Sequence, residues 1–161
     1  ICIEPNPDYN LSMQRNRKCH TSTACCLDVV GKHVEFSQAA YKELSGIKDH
    51  LNSHRNKVLS NNKSVQLVTT TLNNVLDQFN APSFIEYLSL DTEGSELLIL
   101  HGIDFSKYTF GYITVEHNMV DKPRSEIRTF LEAHGMKYYR ENKWDDDYIH
   151  ESVLERITNP N

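Results

Sequence analysis

Asp91, Glu93, Glu116 and His117 are the residues of this chain best placed to do chemistry. They fall in two clusters, each at the end of an apolar run. In the first, Tyr87-Leu-Ser-Leu90 leads into Asp91-Thr-Glu-Gly94, and apolar residues resume with helical spacing from Ser95 to Leu100. In the second, Gly111-Tyr-Ile-Thr-Val115 leads into Glu116-His-Asn118. His117, in this acidic company, can serve as a general base or a ligand. Asp, Glu, His and Asn around one point also suit a divalent cation, without fixing which of them would hold it. Glu93 and Glu96 have a structural reason as well, since acids favour a helix N-terminus. Asp91 has none of that kind.

Glu4 stands at the exit of another short run, Ile1-Cys-Ile3, and is followed by Pro5-Asn-Pro7. One carboxylate offers two acceptor oxygens to the vicinal hydroxyls of a ribose, and the prolines stiffen the loop behind it. The plainer alternative is a solvent-facing acid at a strand end. Lys143-Trp-Asp-Asp-Asp-Tyr148 joins the only Trp to three acids, either as a substrate lip or, more simply, as a charged turn. His20, His33, His50, His54, His101, His134 and His150 have no acidic company of this kind and read as surface or packing residues.

The elements that must position these residues alternate. Ile1–Ile3 ends a strand, and Asp8 can cap a helix over 9–17. Residues 22–27 read as a strand with 33–36 as the return arm of a hairpin through Gly31. Residues 41–64 are polar and read as a flexible insertion. Strand 65–68, helix 72–79 capped by Thr70 or Thr71, strand 85–91, helix 95–101, strand 111–117 and helix 124–134 follow, with 136–140 and 147–149 as closing strands. Strands alternating with helices imply an α/β fold with a mainly parallel sheet covered on both faces. In such sheets ligands bind at the carboxyl ends of strands, where Glu4, Asp91 and Glu116 stand.

Length and composition bound the reading. A chain of 161 residues suits one domain, 1–161, and can bury about 70% of its unfolded surface. Hydrophobic residues are 39% and charged residues 24%, the proportions of a globular protein in water. The net charge of −5 argues against a nucleic-acid or anionic-membrane partner. No run approaches the ~18 apolar residues of a membrane span. No leader-like segment stands at the start, which is Ile1 rather than Met, and the expected location is the cytoplasm. Cys2, Cys19, Cys25 and Cys26 include no Cys-x-x-Cys pair and read as buried thiols in a reducing compartment, with Cys25 and Cys26 on opposite faces of a strand.

Five segments together resemble the FkbM family of S-adenosylmethionine-dependent methyltransferases: Ile3-Glu-Pro-Asn-Pro7, Thr69-Thr-Thr-Leu-Asn73, Leu88-Ser-Leu-Asp-Thr-Glu-Gly-Ser-Glu96, Leu100-His-Gly102 and Ile113-Thr-Val-Glu-His117. The resemblance runs from residue 1 to about 150. It implies a Rossmann-like class I methyltransferase sheet. It implies that Glu4, with Pro5 and Asn6, holds the cofactor's ribose, that Ala24 and Cys25 line the adenine, and that Asp91 faces both cofactor and methyl-transfer centre, with Glu93, Glu116 and His117 nearby. O-methylation of a hydroxyl on a sugar or other small metabolite is the activity it implies, with S-adenosylmethionine as cofactor. A divalent cation and an oligomeric state are left open.

The family's first strand and its glycine-rich loop precede the Glu-Pro-Asn-Pro strand. Here three residues precede Glu4 and no Gly-x-Gly occurs. The expectation is therefore a sheet whose first strand is missing, and a chain that does not turn over by itself. Two other readings stay in view. One is a non-catalytic relative that keeps the fold as a binding module. The other is a nicotinamide-dependent oxidoreductase, which also uses a ribose-binding acid.

Overall fold

Short connections decide how the strands of this chain pair, because a turn of a few residues can only join antiparallel neighbours. The computed structural model describes residues 1–51, 55–61 and 63–158. They form two compact units. The first comprises Ile1–Ala81 and Glu93–Ile103, and the second Pro82–Thr92 and the chain from Asp104 onward.

In the first unit, β1 (Cys2–Ile3) runs parallel to β2 (Thr21–Ser22). A 3-10 turn at Pro7–Tyr9 and helix α1 (Asn10–Asn16) lie between them in sequence. β3 (Cys25–Cys26), β4 (His33–Gln38), β5 (Gly46–Ile47) and β6 (Lys63–Thr70) make a four-stranded sheet in the order β3-β6-β4-β5. β6 is parallel to β3 and antiparallel to β4, and β4 is antiparallel to β5. Helices α2 (Arg55–Leu59), α3 (Leu72–Gln78) and α4 (Glu96–His101) complete the unit. Alternation on β4 turns Val34 and Phe36 inward with Cys25, Leu27 and Ile47, backed by Val65, Leu67 and Leu98. Each large side chain so buried contributes about 1.5–3 kcal/mol. Thr71 caps α3 by accepting the Asn74 N–H at 3.2 Å. Gly102 ends α4 where a Cβ would meet the Leu27 carbonyl oxygen at 2.4 Å, so only glycine allows this approach.

In the second unit, β7 (Phe84–Leu90), β8 (Thr109–Glu116), β9 (Met136–Asn142) and β10 (Asp145–His150) form a sheet in the order β7-β8-β10-β9. β7 and β8 are parallel, and β10 is antiparallel to both β8 and β9. Helix α5 (Asp121–Ala133) buries Ile127 and Leu131, four residues apart on one face, and packs against β9. Pro123 sits in its first turn, where no hydrogen bond is lost. Helix α6 (Glu151–Thr158) follows β10. Phe110, Ile113, Val115, Met136 and Tyr148 fill the core.

The expected Rossmann-like class I methyltransferase sheet, mainly parallel with helices on both faces, is not what the chain forms. The sheets are mixed: three strand pairs are parallel and four antiparallel among the described residues. Two causes are local. Lys143 and Trp144 alone join β9 to β10, which forces a hairpin, and β10 then returns beside β8. The strand expected over 22–27 splits into β2 and β3, and the expected return arm, β4, pairs with β6 rather than with β3. The strand expected over 85–91, in a sheet covered on both faces, also differs. β7 is an edge strand, and within it only Leu90 is buried, while Tyr87 is 56% exposed. Of the four cysteines only Cys25 is buried, and Cys19 is exposed.

The polar stretch 41–64 contains a 3-10 turn at Lys42–Leu44, β5, α2 and the start of β6. Residues 52–54, with His54, and residue 62 lie outside the described residues. Among the described residues no helix is long and apolar enough to cross a membrane.

Candidate active site

The predicted site residues divide between the units. Glu4, Pro5, Asn6, Ala24, Cys25 and Glu93 belong to the first, and Asp91, Glu116 and His117 to the second.

In the first unit the parallel β1–β2 pair sets the position of Glu4. Its N–H donates to the Ser22 carbonyl at 3.0 Å, one step beyond the paired residues. Its Oε1 accepts the Asn6 N–H at 2.7 Å, which turns the carboxylate back over the Pro5–Pro7 corner. Asn6 is buried and serves that corner: its Oδ1 accepts from Asp8 N and Gln38 Nε2, and its Nδ2 donates to Ser45 Oγ. Ala24 is half-buried, with its N–H on Ser22 Oγ at 3.2 Å. Cys25 faces the core, where burial pushes its thiol up to about 11. Glu93 is buried and left-handed, with φ 60°, and Gly94 follows at φ 119°. The Gly94 N–H donates to Glu96 Oε1 at 3.1 Å, so Glu96 serves the turn itself.

In the second unit strand register builds a row of carboxylates. Leu90 on β7 pairs with Val115 on β8, so Asp91 and Glu116 emerge side by side, with carboxylate oxygens within 4.8 Å of each other. Asp145 on β10 is the direct partner of Glu116. Three acids from three strands thus share one face at the carboxyl ends of β7 and β8. Burial, and then the charge of Asp91, raises the Asp145 carboxyl above the ordinary carboxylate range.

His117 turns elsewhere. It is 4% exposed, and its Nδ1 accepts the Met119 N–H at 3.0 Å. In the neutral ring the hydrogen therefore stands on Nε2, which faces Asp146 Oδ1 at 3.7 Å. Asn118 and Met119 are both left-handed, at φ 47° and 58°, which for Met119 costs about 1 kcal/mol. The Nδ1 bond and the Val120 N–H on the His117 carbonyl at 2.8 Å hold this strained corner.

Asp146 is next to Asp145 in the chain but on the opposite face. Its Oδ2 accepts from Arg124 Nε at 2.8 Å and Arg128 Nη2 at 3.2 Å, and its Oδ1 from Arg124 Nη2 at 2.5 Å. Burial works against its charge, but the Arg124 hydrogen bonds outweigh it and hold the carboxyl below its ordinary range. Arg128 also lies over the Tyr138 ring at 3.7 Å, and Arg124 reaches Glu141 at 2.7 Å. His117, Glu141 and Asp146 have donor atoms close enough for a metal ion, yet two guanidinium groups already neutralise this carboxylate. The cluster is an ion-pair lock between α5 and the β9–β10 hairpin.

Residues 1–138 match the family model of the methyltransferase FkbM domain. The chain belongs to the FkbM methyltransferase family. No curated protein and no solved structure matches it. The FkbM match takes in Glu4, the Asp91 and Glu116 exits, His117 and Arg124, and ends within β9. Asp145 and Asp146 lie beyond it. Sequence reasoning attached no role to Arg124 and saw in Lys143–Tyr148 a substrate lip or a charged turn. The available signal was the Trp beside three acids, but which acid faces which partner depends on register.

Proposed function

We propose that this FkbM-family chain is an S-adenosylmethionine-dependent methyltransferase that methylates a hydroxyl group on a sugar or other small metabolite. The observation that carries this reading is the family match over residues 1–138. The carboxylate row at the β7–β8 exits supports a hydroxyl as the acceptor, because an alcohol must lose a proton as it takes a methyl group. When bound, the cofactor supplies an electrophilic methyl on a sulfonium.

The donor chemistry of the first unit fits such a cofactor. Glu4 is a half-buried carboxylate at a strand exit, steadied by Asn6, and a carboxylate is the group that takes a vicinal diol with both oxygens. Pro5 and Asn6 hold its corner, and Ala24, next to the core-facing Cys25, lines the adenine. In the second unit Asp91 and Glu116 orient the acceptor hydroxyl, and Asp145, the carboxyl with raised basicity, takes its proton. Glu93 shapes the turn after Asp91. His117 positions the corner rather than accepting the proton, since its Nδ1 lone pair already holds the Met119 N–H.

Calorimetry with S-adenosylmethionine and a product assay on a panel of sugars with free hydroxyls, both on the complete encoded protein, test this reading. Glu4→Gln keeps the shape and removes the charge, and is expected to weaken cofactor binding by about 1.5–3 kcal/mol. Unchanged affinity removes Glu4 from the ribose. Cofactor binding with no acceptor gaining the mass of one CH2 group favours a binding module. Transfer that stops on chelation would mean that a cation, not Asp145, lowers the barrier to proton loss.

A further inference from the structure

We propose that Cys2 and Cys19 are a thiol–disulfide pair, which a small-molecule disulfide converts into a covalent staple between β1 and β2. Their sulfurs lie 3.3 Å apart, and an S–S bond is about 2.05 Å, so about 1.2 Å of side-chain movement closes it. The backbone presents them to each other. Cys2 pairs with Thr21 in the parallel ladder, and its N–H donates to the His20 carbonyl at 2.8 Å, next to Cys19.

The other two cysteines are not equivalent. Cys25 and Cys26 are neighbours on β3 and point to opposite faces. Burial pushes their thiols up to about 11 and about 12, which leaves almost no thiolate near neutral pH. Cys19 is exposed, and contact with Cys2 holds its thiol below the ordinary value, with Arg17 adding to the effect. The same contact raises Cys2. Cys19, exposed where Cys2 is half-buried, is the sulfur that a disulfide in solution reaches first, and Cys2 is the resolving one.

With oxidised glutathione the steps balance. The Cys19 thiolate attacks one glutathione sulfur, and the other glutathione leaves as a thiolate that takes up a proton. Cys2 then loses its proton, attacks the Cys19 sulfur and displaces the second glutathione. Two cysteine thiols are oxidised by two electrons, and one glutathione disulfide is reduced to two thiols. The staple closes a loop between positions 17 apart that contains α1, and it fastens a ladder of only two residue pairs. This inference does not rest on the methyl-transfer reading.

The full chain is equilibrated in oxidised or reduced glutathione, blocked with an alkylating agent and mapped by mass spectrometry without reduction. The expected result in oxidised buffer is a Cys2–Cys19 linked peptide, no retained glutathione, and a melting temperature higher by roughly 5–10 °C, all reversed by reduced glutathione. Cys2→Ser should instead retain glutathione on Cys19. Cys19→Ser should give neither product, and a Cys25→Ser, Cys26→Ser double variant should form the staple as before. A stable glutathione adduct on Cys19 of the unsubstituted chain, a bridge that includes Cys25 or Cys26, or four free thiols after oxidation would overturn the assignment.

Discussion

Asp145 and Asp146 are adjacent residues of one type on one strand, and the two faces of the sheet make them opposites. On one face Asp145 is the ladder partner of Glu116, and burial, then the charge of Asp91, raises its carboxyl. On the other, Asp146 receives Arg124 and Arg128 and stays ionised into acid. The lesson is that a carboxylate's role here is decided by the parity of its position on β10 and not by its neighbours in sequence. One face stores basicity suited to chemistry, and the other spends its charge on fastening α5 to the hairpin.

The largest test of this contrast is on activity. Asp145→Asn removes the proposed proton acceptor and should lower kcat by about 10²–10⁴-fold, with the fold retained by circular dichroism. Asp146→Asn is the equivalent change by sequence, so the pair is best read together: if Asp145→Asn keeps full turnover, the division of labour between the faces is wrong. In the active protein the acid limb of the pH–rate profile should lie above the ordinary Asp range, because Asp145 must be deprotonated and its carboxyl is raised.

The next effect is on stability. Arg124→Met leaves the buried Asp146 carboxylate with Arg128 as its remaining guanidinium, and should cost about 3 kcal/mol in denaturant unfolding near neutral pH. The Asp146 carboxyl is depressed in the fold, so its contribution is complete above the unfolded value near 4 and is lost as pH falls through the folded one. The gap between the original chain and Arg124→Met should therefore narrow in acid. Asp145 runs the other way: raised in the fold, it favours the folded state at low pH and gives up that contribution as pH rises through its folded value. A gap that stays constant to low pH would show that packing of the Arg124 side chain, not charge, makes the lock.

The smallest effect sharpens the cause. Asp91→Asn removes the charge that stands second to burial in raising Asp145, so the Asp145 carboxyl should titrate lower, followed by carbon-detected nuclear magnetic resonance, while Asp146 stays where it was. Equal movement of both would dissolve the distinction between the faces.

Much of this was legible in the sequence, and the rest was hidden for stateable reasons. The exits at Asp91 and Glu116, the helices over 72–78, 96–101 and 121–133, and the closing pair β9 and β10 all follow local apolar spacing. Strand direction does not. Lys143 takes φ 62° in the β9–β10 turn without the Gly that marks a two-residue hairpin, so the charged turn read there carried no strand direction. Arg124 and Asp146 are 22 residues apart and meet only because β10 returns beside β8. β2 and β3 are two residues each, too short for any period to register. Cys2 and Cys19 looked unrelated for the same reason: a parallel ladder, not a spacing motif, joins them.

The β9–β10 turn has one more consequence. Trp144 is the chain's only tryptophan and is 60% exposed, yet its carbonyl accepts the His117 N–H at 2.8 Å and the Asn118 N–H at 3.4 Å. Its backbone is fastened beside the carboxylate row while its ring meets solvent. The tryptophan fluorescence of the whole chain therefore reports from this single corner. Emission would follow the loosening of the β8–β10 end as it happens, and a quencher added to the buffer would read how open that corner is, with no label attached.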